Sequence, residues 1–139
     1  MNSVLPDTNV LIYSIDEDSK NFLASQNLLY NSKINLFTSS KKLSEMLAVL
    51  IRYPKNKIST KKAIDIIKAI MNYVKVLFPN QESNILFFEL LLKHKPTGLK
   101  IHDFEILSIA LANNIDYIAT FNVKDFNDVN GIKFYPFKI

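Results

Sequence analysis

The sequence predicts an α/β fold, a central parallel sheet of four to five short strands flanked by helices on both faces. Three observations carry that expectation. Short, largely apolar runs alternate along the chain with longer stretches of helical periodicity. Those runs lack the in–out alternation of a half-exposed sheet, so each strand is expected to be covered on both sides. The length of 139 residues, 48% of them hydrophobic and 22% charged, suits a globule with one core, a single domain over residues 1–139.

The elements follow in order. Ser3–Pro6 is an extended start, and Asp7-Thr8-Asn9 supplies side chains that cap a helix from about Thr8 to Ile15. Asp16-Glu17-Asp18 suits the entry to a second helix through about Tyr30, because negative charge favours a helix N-terminus. Ile34–Thr38 reads as a strand. Ser39 or Ser40 caps a third helix to about Tyr53, which Pro54 stops, and Lys55–Ile58 is a loop. A fourth helix over Thr60–Tyr73 carries Ala63, Ile66, Ile67, Ile70 and Met71 on one stripe. Val74–Phe78 is a strand ended by Pro79-Asn80, and Gln81–Lys93 is a fifth helix. A turn at Pro96-Thr97-Gly98 leads to a sixth helix, Asp103–Asn113. Strands at Tyr117–Thr120 and Lys133–Tyr135 complete the chain.

Composition removes several chemistries. Without cysteine there is no disulfide framework, thiolate metal site or cysteine nucleophile. Two glycines, Gly98 and Gly131, are too few and too far apart for a phosphate-cradling glycine loop. His94 and His102 lack zinc-ligand spacing, and no Ser-His-Asp order with its supporting elbow is present. The first nineteen residues contain no Lys or Arg and include Asp7 and Asp16, unlike a secretory signal. The longest apolar stretch, Ile85 to Leu92, is interrupted by Glu89 and is too short to cross a bilayer. A cytoplasmic protein with no membrane partner is the simplest expectation.

The net charge of +4 is unevenly distributed. Residues 41–62 hold seven basic side chains against Glu45 alone, and the rest of the chain is slightly acidic. Such a segment either attracts phosphate backbones or forms a solvated helical surface.

Parallel sheets place ligands outside the carboxyl ends of their strands, and four polar positions fall near such ends. Asp7 directly follows the first strand, as a functional carboxylate or as a helix N-cap. Asp103 shares the inward face of Ile106, Leu107, Ala110 and Leu111, whereas Glu105 falls opposite and reads as a solvated charge. An inward carboxylate needs a partner, either the helix N-terminus or a metal. Glu45 lies with Ala48 and Arg52, away from the apolar stripe, and Lys41 is a candidate partner one turn earlier. Asn122 is a turn residue or a polar neighbour of a site. Asp16, Glu17, Asp18, Asp116, Asp125 and Asp128 read as surface or capping residues, and His102 as a loop residue within possible reach of a substrate.

Four motifs in order then resemble a PIN domain: Val4-Leu5-Pro6-Asp7-Thr8-Asn9-Val10-Leu11-Ile12, Leu43-Ser44-Glu45-Met46-Leu47, Ile101-His102-Asp103, and Ala119-Thr120-Phe121-Asn122-Val123-Lys124-Asp125-Phe126. The resemblance spans essentially the whole chain, and the chain's size is similar to that of VapC-type ribonuclease toxins. It implies metal-binding acids at Asp7, Glu45 and Asp103, with Asn122 at a fourth position that is often Asp in the family. That neutral residue leaves one anionic ligand fewer. Asp125 matches the acid before Phe in the last motif, and Ser39 a small polar position bordering the site.

The implied activity is Mg²⁺- or Mn²⁺-dependent hydrolysis of RNA, leaving a 5′-phosphate and a 3′-hydroxyl. Oxygen ligands suit such ions, which ease the deprotonation of water and neutralise charge on phosphate. The resemblance also implies that Asp7 and Asp103 hold the metal, converging at the carboxyl edge of the sheet. Glu45 then binds a second metal or orients the attacking water, and Asn122 acts through water. Ser39, Lys41, Lys42, Arg52 and His102 are the candidates for substrate contact. The implied partners are an antitoxin lying in an apolar groove between helices 8–31 and 40–73 and a second copy of the chain. Three alternatives stand beside this: a PIN nuclease outside any toxin pair, an inactive PIN binding module, and a receiver domain. The last needs an acidic pair at the first strand end, where Asp7 stands alone.

Overall fold

The computed structural model describes residues 2–53, 57–126, 129 and 131–137. The expected stop at Pro54, the loop residues Lys55 and Asn56, Asp128 and the side chain of Asp125 lie outside the described residues. In chain order the elements are β1 (Asn2–Pro6), α1 (Thr8–Tyr13), α2 (Phe22–Leu29), β2 (Ile34–Ser39), α3 (Ser40–Ile51) and α4 (Thr60–Met71). They continue with β3 (Val74–Leu77), α5 (Gln81–His94), α6 (Lys100–Ala112), β4 (Tyr117–Ala119) and a 3₁₀ turn at Val123–Phe126.

Among the described residues the four strands are all parallel, in the order β3-β2-β1-β4. Their period of two sends alternate side chains to opposite faces. Val4 and Ala119 therefore join the core beneath α1–α4, with Met46, Leu50, Ala63 and Ile67. Leu5 and Ile118, one residue away, join the core beneath α5 and α6, with Phe104 and Leu107. The near-continuous apolarity of the strands follows from this two-sided burial.

Side-chain caps set the start of four helices, α1 through Asp7 and three others. Ser39 Oγ accepts from Lys42 N at the head of α3 (3.3 Å), and Ser59 Oγ accepts from Lys62 N at the head of α4 (3.1 Å). Asn80 and Ser83 form a reciprocal capping box on α5. On α4 the expected stripe is buried at Ala63, Ile67 and Ile70 but leaves Met71 exposed.

Four sequence expectations are corrected. Asp16-Glu17-Asp18 does not open a helix. Asp16 Oδ1 accepts from Asp18 N and its Oδ2 from the Tyr53 hydroxyl, which folds the run into a turn and delays α2 to Phe22. α6 begins at Lys100, so His102 lies inside the helix, exposed in its first turn. Glu105 is not a solvated charge: α6 is buried on both faces, from Phe104 through Ala110, and Glu105 pairs with Lys41. The expected strand at Lys133–Tyr135 is reduced to one parallel bridge, Ile118 with Phe134.

Candidate functional site

From β1 the chain builds outward through β2 to β3, then returns to place β4 on the other side of β1. The crevice at the carboxyl ends of β1 and β4 is thus the topological switch point of the sheet, where such folds bind ligands. Asp7 stands there. Its backbone N–H bonds Ala119 O at 2.8 Å, extending the β1–β4 pairing by one step, and its side chain caps α1.

The Asp7 carboxylate accepts from Thr8 N at 2.8 Å and, weakly, from Thr120 Oγ1 at 3.4 Å. Burial pushes its pKa up; the positive charge of Lys42 and the Thr8 bond oppose that rise, and the negative charge of Glu45 adds to it. Thr120 also accepts from Asn122 N at 3.0 Å, so one buried hydroxyl links the turn after β4 to the carboxylate after β1. Thr120 stands outside the site residues expected from sequence. The available signal was its place, ending β4 as Asp7 ends β1.

The head of α3 approaches the same edge. Lys42 Nζ donates to Glu45 Oε2 at 3.0 Å; the lysine side chain is 7% exposed and that of the glutamate 49%. Glu45 thus pairs with Lys42, not with Lys41. Lys41 instead reaches Glu105 on α6 at 2.8 Å, tying the heads of α3 and α6 together beside Asp103, a half-buried residue in the first turn of α6. Ser39 is buried and its hydroxyl is engaged as the α3 cap. Arg52 lies ten residues from Lys42, about 15 Å along the helix axis, and donates to Ala48 O. The positive segment is therefore not one patch. Its two lysines at the head of α3 are each matched by a carboxylate, and its remaining described cations lie towards the other end of α3 and the start of α4.

Among the described residues, no three histidine or acidic side chains are grouped so as to hold a metal ion. The donor chemistry nevertheless fits a hydrated divalent cation. Mg²⁺ retains several waters and takes one or two carboxylates directly, and Asp7 is a half-buried carboxylate with a negative neighbour and one firm hydrogen bond. Two buried hydroxyls near these strand ends, Thr8 Oγ1 and Thr38 Oγ1, have no partner among the described residues.

A separate groove of about 690 Å³ runs between α1, α3 and α4 over Ile12, Ile15, Leu50, Tyr53, Ile58 and Ile66. Asp16, Glu17 and Asp18, with Lys57 and Lys62, supply its charged lining. Among the described residues, no helix is long and apolar enough to cross a membrane.

The PIN domain family model matches residues 4–132. No curated protein sequence matches the chain. Among solved structures, the chain is similar to one in the crystal structure of VapBC2 from Rickettsia felis bound to a DNA fragment from their promoter. The TM-score is 0.74 at 18% identity, covering 96% of this chain and 97% of that one. A chain of VapBC-1 from nontypeable Haemophilus influenzae is similar at TM-score 0.71 and 23% identity, covering 97% of each. Mycobacterium tuberculosis VapC20, a sarcin–ricin loop cleaving toxin, is similar at TM-score 0.71 and 14% identity, covering 94% of this chain and 96% of that one. At these identities the likeness is one of fold.

Proposed function

The chain belongs to the PIN domain family, and from that premise we propose that it is a metal-dependent endoribonuclease, the toxin of a toxin–antitoxin pair acting in the cytoplasm. The observation that carries this reading is the Asp7 carboxylate at the β1/β4 switch point of a chain that the family model spans almost end to end. VapBC assemblies and a toxin that cleaves the sarcin–ricin loop among the similar structures support the toxin assignment.

In this reading Asp7 and Asp103 would hold the cation, and Glu45 would act on the attacking water. A bound Mg²⁺ or Mn²⁺ supplies two effects, easier deprotonation of water and neutralisation of charge on the phosphate. The protein's own residues position the reactants. Thr8 N and Thr120 fix the Asp7 carboxylate, so little reorganisation is needed when substrate arrives. Glu45, anchored by Lys42, accepts a proton from the attacking water. Asn122, exposed beyond Thr120, orients the phosphate through water. The product ends are a 5′-phosphate and a 3′-hydroxyl.

Purified protein with a panel of RNAs and single-stranded DNAs, in Mg²⁺, Mn²⁺ or EDTA, tests the activity. RNA cleavage that EDTA abolishes and Asp103→Asn eliminates is expected. Full cleavage in EDTA, or by a well-folded Asp103→Asn protein, would refute the assignment. The neutral Asn122 favours one alternative, a PIN module that binds nucleic acid or protein without cleaving it, and failure to cleave any RNA would select it. The antitoxin is assigned to the groove over Ile12, Leu50 and Ile66, whose apolar floor and charged rim suit an amphipathic segment. Growth arrest on expression of this chain alone is the matching test in cells; harmless expression of a cleavage-active protein would point to RNA processing instead. A homodimer is proposed on the same family footing.

A further inference from the structure

On the α5–α6 side of the sheet the cover is thinner over β2 and β3. Leu5 of β1 and Ile118 of β4 lie beneath those helices, whereas Phe37 of β2 is half-buried and belongs to neither core. Leu36 and Val74 are paired and buried in the opposite core, so Asn35, Phe37 and Lys75 share the thinly covered face, with Phe37 paired to Lys75. Asn35 and Lys75 are exposed. Tyr73, just before β3, is 51% exposed, and Tyr30 holds its ring edge-on at 4.9 Å. Asn35, Phe37, Met71, Asn72, Tyr73 and Lys75 line a cavity of about 410 Å³. A lysine on an edge strand discourages pairing with another sheet, but the exposed Tyr73 and Met71 beside it do the opposite, so edge protection does not account for the group.

Charge selects the occupant. The segments that supply this lining, residues 19–44 and 66–81, contain no Asp or Glu. Neither Lys33, just before β2, nor Lys75 takes part in an ion pair among the described residues. An exposed ring, amide side chains and unmatched lysines on an open sheet face can stack an unpaired base, bond its edges and meet its phosphate. We propose that this face is a platform for a single-stranded stretch of the RNA substrate, with Tyr73 stacking a base, Asn35 and Asn72 facing base edges and Lys75 on a phosphate. The inference rests on the nuclease reading for RNA as the ligand. β2 leads from the platform to the site: Phe37 is two residues, about 7 Å of strand, from Ser39 at the head of α3.

Fluorescence anisotropy of a labelled single-stranded RNA and of a fully paired RNA duplex, in EDTA to prevent cleavage, tests this on the parent, Tyr73→Ala, Tyr73→Phe and Lys75→Gln. Melting curves confirm that each variant folds. Tyr73→Ala is expected to weaken single-strand binding at least about fivefold, the lower end of what losing one stacked base brings, and to leave duplex binding as it was. Tyr73→Phe keeps the ring and is expected to bind as the parent does. Lys75→Gln is expected to flatten the log–log salt dependence of single-strand binding by about 0.7. Equal single-strand affinity of parent and Tyr73→Ala would overturn the platform and leave the nuclease reading intact. Equal losses on single strand and duplex would overturn it as well, as would a parent dimer that Tyr73→Ala dissociates without changing RNA affinity, which would give the face to a second copy. A parent that binds neither RNA in EDTA yet cleaves RNA in Mg²⁺ would overturn the platform alone; one that neither binds nor cleaves would overturn both readings.

Discussion

The ion pair between Lys42 and Glu45 differs from an ordinary surface pair in its asymmetry, and a double-mutant cycle measures the difference. At 3.0 Å, Coulomb's law gives about 5.5 kcal/mol at an effective dielectric of 20 and about 1.4 kcal/mol at that of water. Glu45 is half exposed while Lys42 is almost fully buried, which places the interaction toward the lower limit, at about 1.5 kcal/mol. Exposed pairs at this helical spacing give about 0.3–0.5 kcal/mol. Lys42→Met, Glu45→Gln and the double variant, unfolded by urea in EDTA at neutral pH, yield the coupling energy directly. For a chain of this size about 1.5 kcal/mol corresponds to roughly 5 °C in melting temperature. Raising the salt to 1 M should weaken the coupling through the half-exposed Glu45 without erasing it, because the ammonium is buried. A coupling below about 0.5 kcal/mol, or one erased by salt, would show Lys42 to be solvated.

Asp7 provides a pH test. Burial raises its folded-state pKa above the ordinary 3.8, so the folded protein retains this proton more tightly than the unfolded chain. The metal-free protein therefore loses stability as pH rises from 3.8 through the raised value, and carries the full cost at neutral pH. Asp7→Asn, which still caps α1, should be more stable than the parent in EDTA at pH 7, with the difference shrinking towards pH 3.8; a variant less stable at pH 7 would contradict this. Thr120→Val removes the hydroxyl shared by Asp7 and Asn122 N, and should cost about 1 kcal/mol while lowering cleavage through kcat more than KM. Unchanged kcat would show the Asp7–Thr120 contact to be incidental. Lys41→Gln should lower the log–log salt slope of RNA binding by well under one unit, because Glu105 already matches that charge; a full-unit loss would place Lys41 on a phosphate.

Local chemistry accounts for most of what the sequence determined. Strands β1, β2 and β4 were legible because burial on both faces demands continuous apolarity, which Val4-Leu5 and Ile118-Ala119 satisfy by serving opposite cores. The head of α3 was legible because capping by Ser39 needs only residues three apart. The place of Asp7 at the carboxyl end of β1 was legible because one apolar strand ends directly before it. The tertiary structure alone decided which charges meet. Lys41 and Glu105 are 64 residues apart, and Asp7 and Thr120 are 113 apart. Helical phase assigned Glu105 to solvent by assuming one buried face, and packing buried the other face of α6 as well. The switch point itself arises only when β4 returns to the far side of β1. Caps and apolar runs are set by neighbours in the chain, whereas a charge's partner is chosen by whatever packing brings within a few ångströms of it.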